Sequence, residues 1–121
     1  MKITAVETFL MQVGARARNP NRPEHVEHGG SRNWLFLRIL TDEGVYGVGE
    51  CSGWPRVVER AVHDYTHLLV GENPRHIEKL WYKLFVSSMG HGMLGTVGAG
   101  ALSGIEMALW DIKGKVLGQP V

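Results

Sequence analysis

The spacing of apolar residues changes once along this chain, and that change constrains the fold more than any other feature. Between residues 2 and 13, apolar side chains recur mostly at every second position, which is typical of a β-strand. Two further apolar segments, at 34–40 and 45–51, flank a TDEG sequence that favours a hairpin turn. From residue 55 onward the apolar spacing becomes helical. The sequence therefore predicts an α+β fold, in which a three-stranded antiparallel meander is followed by a three-helix layer.

The first two helices are predicted from their apolar faces and their start signals. Residues 55–69 place apolar side chains on one face, with Pro55 in the first turn. The second helix is predicted to begin with Asn73 as its N-cap and Pro74 as its first residue. Its apolar positions follow helical spacing, and they are Ile77, Leu80, Trp81, Leu84 and Phe85. We therefore expect Trp81 to pack in the core.

The third helix is predicted over about residues 96–117. Gly118 is placed to end it and Pro120 prevents its continuation. Its apolar stripe consists of Val97, Ala101, Ile105, Ala108, Leu109, Ile112 and Val116. Trp110 has helical core spacing as well, and we expect it to pack.

Two pairs of glycines predict close contacts between backbones. Gly47 and Gly49 alternate along the second hairpin arm, and Gly100 and Gly104 lie one turn apart on the third helix. A strand or a helix face without side chains allows a neighbouring backbone to approach closely. One side of the third helix is therefore nearly bare.

Length and composition exclude several classes of protein. A chain of 121 residues is one domain long, whereas a complete (β/α)₈ barrel needs about 250 residues. Thirteen basic and twelve acidic residues give a net charge of +1, and we expect no nucleic-acid partner because no like-charged stripe is present. Cys51 is the single cysteine, which excludes an internal disulfide and suits a cytoplasmic setting. Glu7 interrupts the apolar run that a signal peptide needs, and we expect no membrane span.

Four segments of the sequence resemble the N-terminal capping domain of the mandelate racemase/muconate lactonizing enzyme family, within the enolase superfamily. They are MKITAVET, LRILTDEGVYGVGE, GENPRHIEKLWYKLF and AGALSGIEMALWDIKGKVLGQPV. The last segment is the most specific, and the resemblance covers essentially the whole chain. It implies an enolase N-terminal domain-like fold over residues 1–121.

The resemblance also implies where the chemistry is carried out. In that family the capping domain precedes a modified (β/α)₈ barrel, which holds Mg²⁺ through three Asp or Glu residues. Lys or His residues of the barrel remove the proton α to a carboxylate. This sequence stops about where the first barrel element would begin, so no catalytic residue and no metal ligand is assigned to it. We expect these 121 residues alone to be inactive.

Two loops are implied to cover the substrate pocket, at residues 14–33 and 52–56. The first is rich in Arg and His, which donate charge-assisted hydrogen bonds to a carboxylate substrate carrying hydroxyl groups. The candidate substrate-binding residues are Arg16, Arg18, His25, His28, Trp54 and Arg56, and Arg22 and Arg32 lie in the first loop too. For the arginines and histidines, a solvated surface role is the alternative. Trp54 could either cover the pocket or pack against the sheet.

Other polar residues receive structural interpretations. Glu106 and Asp111 are five residues apart on the third helix, which does not bring them onto one face for metal binding. We expect each to pair with a basic group or with the barrel. Glu50 is predicted to be structural, and Cys51 to be a small buried apolar group. His91, between two glycines, is predicted to be a turn residue.

The resemblance favours the lid domain of a Mg²⁺-dependent acid-sugar dehydratase acting on an aldonate or aldarate. A racemase, an epimerase or a cycloisomerase of the same family is the alternative, since the barrel residues decide among them. The implied partners are a carboxylate substrate, the chain's own barrel and further copies of itself in a homo-oligomer. A standalone binding module is a second alternative, but the bare side of the third helix would then be exposed.

Overall fold

The first half of the chain forms one antiparallel sheet, as the sequence predicts. The computed structural model describes residues 1–13, 32–89 and 95–121. The strands are β1 (Ile3–Val13), β2 (Arg32–Thr41) and β3 (Tyr46–Cys51), in the order β1-β2-β3. Gly44 closes the turn between β2 and β3 at a φ of +80°, which confirms the predicted hairpin.

The sheet has an inner face that packs against helices and an outer face that no described helix contacts. Leu35 and Leu37 of β2 are completely buried on the inner face. In β1 the register shifts between Ile3 and Ala5. As a result, Phe9 and the residues in phase with it lie on the outer face, although Ile3 is in the core. The apolar alternation in the sequence of β1 therefore belongs mostly to the exposed face.

After the sheet, the described part of the chain forms three helices. They are α1 (Pro55–Leu69), α2 (Ile77–Met89) and α3 (Thr96–Leu117). The predictions for α1 and α3 are confirmed, including the left-handed Gly118 at the end of α3. The predicted start of α2 at Pro74 is wrong. The Asn73 side chain accepts a hydrogen bond from the Arg75 amide at 3.0 Å and its carbonyl accepts one from His76, so a separate turn precedes the helix.

The core lies between the inner face of the sheet and the helix layer. Its large, fully buried side chains are Ile3, Leu35, Leu37, Ile39, Val58, Val62, Leu69, Leu80, Leu84, Ile105, Leu109 and Ile112. Within the described residues, no helix is both long enough and apolar enough to cross a membrane.

Both tryptophans that were expected in the core lie at its surface. Trp81 is 36% exposed and stacks on Phe85 with ring centroids 5.0 Å apart, and Trp110 is similarly exposed. Val116, the last residue of the predicted stripe, is exposed as well. For α3 the reason is its rotation about its own axis, which turns Gly100 and Gly104 toward β3 and leaves Trp110 and Val116 partly exposed.

The glycine contacts confirm the predicted close approach of two backbones. A Cβ atom on Gly49 would overlap the carbonyl oxygen of Gly104, and one on Gly47 would overlap that of Ala108. A Cβ on Gly100 would overlap the carbonyl oxygen of Ser52. Strand β3 therefore covers the bare side of α3. The expectation that this side would be exposed in a standalone module is wrong. The glycine side of α3 is therefore no argument against a standalone module.

Candidate functional site

The candidate site is one end of the sheet, which we call the loop end. It is formed by the last residue of β1, the first of β2 and the last of β3, namely Val13, Arg32 and Cys51. These residues share one end because neighbouring strands run in opposite directions. The register supports this, since Leu35 of β2 lies opposite Cys51. Both predicted substrate-covering segments are therefore attached at the loop end.

Two helices begin at the loop end. α1 starts immediately after Ser52–Trp54, and the first turn of α3 lies beside the same segment. A Cβ on Gly53 would be 3.6 Å from Cγ2 of Thr96. The N-cap positions are Trp54 and Gly95, neither of which makes a side-chain capping bond, and neither first turn contains an acidic residue. No side chain of α1 or α3 therefore offsets the partial positive charge at these two helix N-termini. This charge favours binding of an anion nearby.

Trp54 immediately precedes α1 and Arg56 is the second residue of that helix. The predicted loop over 52–56 therefore ends at Trp54, because Pro55 already starts the helix. Trp54 is 75% exposed, so the alternative that it packs against the sheet is wrong. Its backbone carbonyl accepts the Val58 amide at 2.8 Å and fixes the first turn of α1. Arg56 is exposed, too. Among the described residues, both side chains are accessible to a ligand or to a second domain at the loop end.

Most of the other predicted site residues lie outside the described residues. They are Arg16, Arg18, Arg22, His25, His28 and His91. The backbone of Arg32 begins β2. Their roles remain predictions from the sequence.

The edge of β3 is covered by side chains of α3. Asp111 Oδ2 accepts the Val48 amide at 2.9 Å, Met107 Sδ accepts the Glu50 amide at 3.4 Å, and Lys115 Nζ donates to the Tyr46 carbonyl at 2.7 Å. The contacting residues are four apart along α3 and two apart along β3. These two spacings cover similar distances along a helix and along a strand, so each helix side chain lies beside the strand residue that it contacts. This contact occupies a strand edge that could otherwise pair with another chain.

Asp111 confirms the prediction of a basic partner. Lys115 Nζ lies 2.7 Å from Asp111 Oδ2. Partial desolvation raises the pKa of Asp111, but the bonds from Lys115 and the Val48 amide, with the charge of Lys115, outweigh it and hold that pKa below its usual value. Glu106 instead accepts a weak hydrogen bond from the Trp110 indole at 3.4 Å. The acid–base pair of α3 is therefore a structural one.

Cys51 is a buried group, as predicted, and Glu50 is exposed. Burial, and secondarily the charge of Glu50, raise the pKa of the Cys51 thiol to about 11. The thiol is therefore protonated and unreactive at neutral pH. Within the described residues, no three His, Cys, Asp or Glu side chains come close enough to hold a metal ion.

Sequence reasoning missed two features of this site. One is that both helices at the loop end lack a capping side chain, and the signal for it is the apolar Trp54 and the Gly95 at their N-cap positions. The other is the edge contact, and its signal is the four-residue spacing of Met107, Asp111 and Lys115. The edge contact also requires knowing that α3 lies beside β3.

Comparison with known proteins identifies related sequences. The family model described as "Mandelate racemase / muconate lactonizing enzyme, N-terminal domain" matches residues 5–121. A D-galactonate dehydratase from Ralstonia nicotianae is 51% identical over 90 residues, which are 73% of this chain and 23% of that protein. A D-galactonate dehydratase from Variovorax paradoxus is 47% identical over the same shares.

Solved structures agree with these matches. A 3,6-anhydro-D-galactonate cycloisomerase from Zobellia galactanivorans superimposes with a TM-score of 0.80 and 30% identity, covering 97% of this chain and 29% of that one. An isomerase from Streptomyces coelicolor gives a TM-score of 0.75 and 28% identity, with 98% and 29% coverage. The chain thus spans less than a third of the length of each of these relatives. Because the family model matches nearly every residue, this chain belongs to the mandelate racemase/muconate lactonizing enzyme family, as its N-terminal domain.

Proposed function

We propose that this domain is the lid of an acid-sugar dehydratase and covers the substrate pocket of a (β/α)₈ barrel in the same polypeptide. The loop end carries this proposal, because both connecting segments and two uncapped helix N-termini are attached there. The relatives named D-galactonate dehydratase support the substrate class. That the chain spans 23% of their length supports a catalytic part outside these residues.

The chemistry of the loop end suits a carboxylate that carries hydroxyl groups. The helix N-termini and Arg56 favour the negative charge of the carboxylate. Exposed Trp54 supplies an apolar surface that excludes water when the lid lies over the barrel. Arg16, Arg18, His25 and His28 are the proposed hydrogen-bond donors of the first loop.

Magnesium does not fit the described residues of this domain. The pair Glu106 and Asp111 is not assembled as a site, because Asp111 is bound by Lys115 and by a backbone amide. We therefore assign Mg²⁺ to the barrel and derive no step through it here. The domain's own contribution is to orient the substrate and to exclude water.

An isomerase or cycloisomerase activity is the rival within the family. The resemblance to the Zobellia cycloisomerase favours it, at 30% identity over nearly the whole chain. A standalone binding module is the non-enzymatic alternative. Turnover by a barrel that this domain completes separates the lid role from the standalone module, whereas the barrel residues decide between dehydration and isomerisation.

The test is a domain exchange. Residues 1–121 replace the matching N-terminal segment of the Ralstonia nicotianae D-galactonate dehydratase, and the chimera is assayed with Mg²⁺ on a panel of sugar acids. We expect dehydration of D-galactonate or of a related aldonate by the chimera, and no turnover by the 121-residue chain alone. A folded chimera that turns over only non-sugar acids, or nothing, would contradict the proposal. So would metal-dependent turnover by the isolated chain.

Three substitutions in the chimera test the loop end. Trp54→Ala and Arg56→Ala should each raise KM for the sugar acid by about tenfold, since each removes a contact to substrate. Arg60→Ala is the control, because Arg60 lies one turn further along α1 and pairs on the surface with Asp64 at 3.3 Å. Equal kinetics for all three variants would remove Trp54 and Arg56 from the site.

A further inference from the structure

A hydroxyl, a carboxylate and an imidazole meet between β1 and α1. Thr8 lies opposite Leu37 in the sheet and therefore on the inner face, toward the helices. Its Oγ1 donates to Glu59 Oε1 at 2.8 Å, and His63 Nε2 lies 3.2 Å from the same hydroxyl oxygen. Nε2 of His63 is also 3.9 Å from Glu59 Oε1. Three polar atoms from two elements therefore surround one small volume, and the proposed function uses none of them.

The packing of α1 holds two of these groups in place. Glu59 and His63 are four residues apart, so they share one side of the helix. Val58 and Val62, the residues just before them, are completely buried and fix the rotation of α1. The Glu59 side chain is 27% exposed and that of His63 is 48% exposed. The three groups are therefore held by rigid elements and remain open to solvent.

The spacing of the three atoms matches the ligands of a tetrahedral metal ion. Their separations are 2.8, 3.2 and 3.9 Å, about 3.3 Å on average. Ligands bound to Zn²⁺ at about 2.0–2.2 Å and at tetrahedral angles lie about 3.3–3.6 Å apart. A cation just outside the plane of the three atoms would therefore reach all of them. A water molecule can take the fourth position, because the site is open to solvent.

The types of donor favour a transition metal over Mg²⁺. An imidazole nitrogen suits Zn²⁺, Cu²⁺ and Ni²⁺, whereas Mg²⁺ prefers oxygen ligands. Among the described residues, the only basic group within ion-pair distance of Glu59 is His63, so no Lys or Arg of that part of the chain neutralises the carboxylate. The Thr8 hydroxyl can keep its proton on Glu59 and offer a lone pair to the cation. His63 binds through Nε2 when its ring proton is on Nδ1.

We propose that Thr8, Glu59 and His63 form a binding site for one divalent transition-metal ion, with Zn²⁺ as the ion that fits best. Two of the three ligands are of the types most common in zinc sites, and the hydroxyl completes the set with water. The bound ion joins β1 to α1 directly. Its role is to stabilise the contact between the sheet and the first helix.

Isothermal titration of the 121-residue chain with Zn²⁺ tests the proposal. We expect a site of micromolar affinity that Mg²⁺ does not occupy. His63→Ala should abolish this site, and Glu59→Gln should weaken it at least tenfold, since each variant removes a ligand. The matched control is His67→Ala, because His67 is also exposed and lies one turn further along α1. It should change the affinity less than twofold, which separates the proposed site from a pair formed by His63 and His67.

Two further measurements locate the ion. Backbone amide NMR signals of Thr8, Glu59 and His63 should shift when Zn²⁺ is added to the unsubstituted chain, which requires no stable variant. Zn²⁺ should also raise the midpoint of thermal unfolding of the unsubstituted chain and not that of His63→Ala, because the ion binds the folded state. Absence of Zn²⁺ binding, equal losses in His63→Ala and His67→Ala, or shifts that leave Thr8 unaffected would each overturn the proposal.

Discussion

The inner and outer faces of the same sheet differ in how tightly they are constrained. On the inner face, Gly47 and Gly49 let α3 approach until backbone meets backbone, and Leu37 is completely buried. On the outer face, Met11 and Val48 are equally apolar but exposed. The two faces show that apolar character does not by itself decide burial. What decides it is whether a complementary surface lies opposite.

The largest loss of stability that tests this difference between the faces is expected at a glycine of the inner face. Gly49→Ala would drive a Cβ into the Gly104 carbonyl, and separating β3 from α3 would cost about 4 kcal/mol or more. Gly95→Ala is the matched control, because a Cβ there meets nothing within 4 Å. Urea unfolding measures both. Similar stabilities for the two variants would contradict the backbone contact.

The next effect compares apolar truncations on the two faces. Leu37→Ala removes a completely buried side chain and should lower the free energy of unfolding by about 3 kcal/mol. Met11→Ala on the outer face should cost less than about 1 kcal/mol in the monomer. Urea unfolding measures both variants. Equal losses would mean that the two faces are equally packed.

Trp81 tests an intermediate case, since its side chain is neither fully buried like Leu37 nor as exposed as Met11. It stacks on Phe85 and is partly exposed, so Trp81→Ala should cost about 1–2 kcal/mol. Tyr82→Ala, at the more exposed neighbouring position, serves as the control and should cost under about 0.5 kcal/mol. Thermal unfolding compares the two. A loss above about 3 kcal/mol would restore the original expectation that Trp81 is in the core.

The smallest effect concerns the edge of β3 and depends on pH. The folded pKa of Asp111 is lowered, so its contribution to stability is fully present above the ordinary Asp pKa of about 3.9 and is lost as pH falls through the folded pKa. Asp111→Asn should cost about 0.5–1 kcal/mol at pH 7 and less near pH 2. Asp64→Asn, in an exposed pair with Arg60, is the control and should cost less. A pH-independent difference from the unsubstituted chain would exclude the ion-pair explanation.

The secondary structure was predictable from the sequence because its signals are local. The hairpin follows from a TDEG turn between apolar segments, and Gly118 ends α3 in the left-handed conformation that a glycine adopts readily. The close contacts at Gly49 and Gly104 were predictable too, since the missing side chains leave room. The start of α2 was not, because the Asn73 side chain caps a turn that lies ahead of the helix.

The candidate site was predictable in part. The sequence placed Trp54 in a connecting segment, and family resemblance gave that segment its expected role. Arg56, expected in the same segment, lies in the first turn of α1. Both connecting segments and two helix N-termini lie at one end of the sheet. This arrangement follows from the antiparallel order of the strands and from the packing of α3 beside residues 52–53. Spacing along the chain carries no information about this arrangement.

By itself, the sequence determined the α+β class, the extent of most elements and the glycine contacts, because local backbone preferences and periodicity encode these features. Only the tertiary structure decided which apolar residues are buried. The register shift after Ile3 turns Phe9 outward, and the rotation of α3 turns Trp110 toward solvent. The physical reason is that burial depends on the surface that a residue meets across space. That surface is set by strand register and helix rotation, neither of which a single segment specifies.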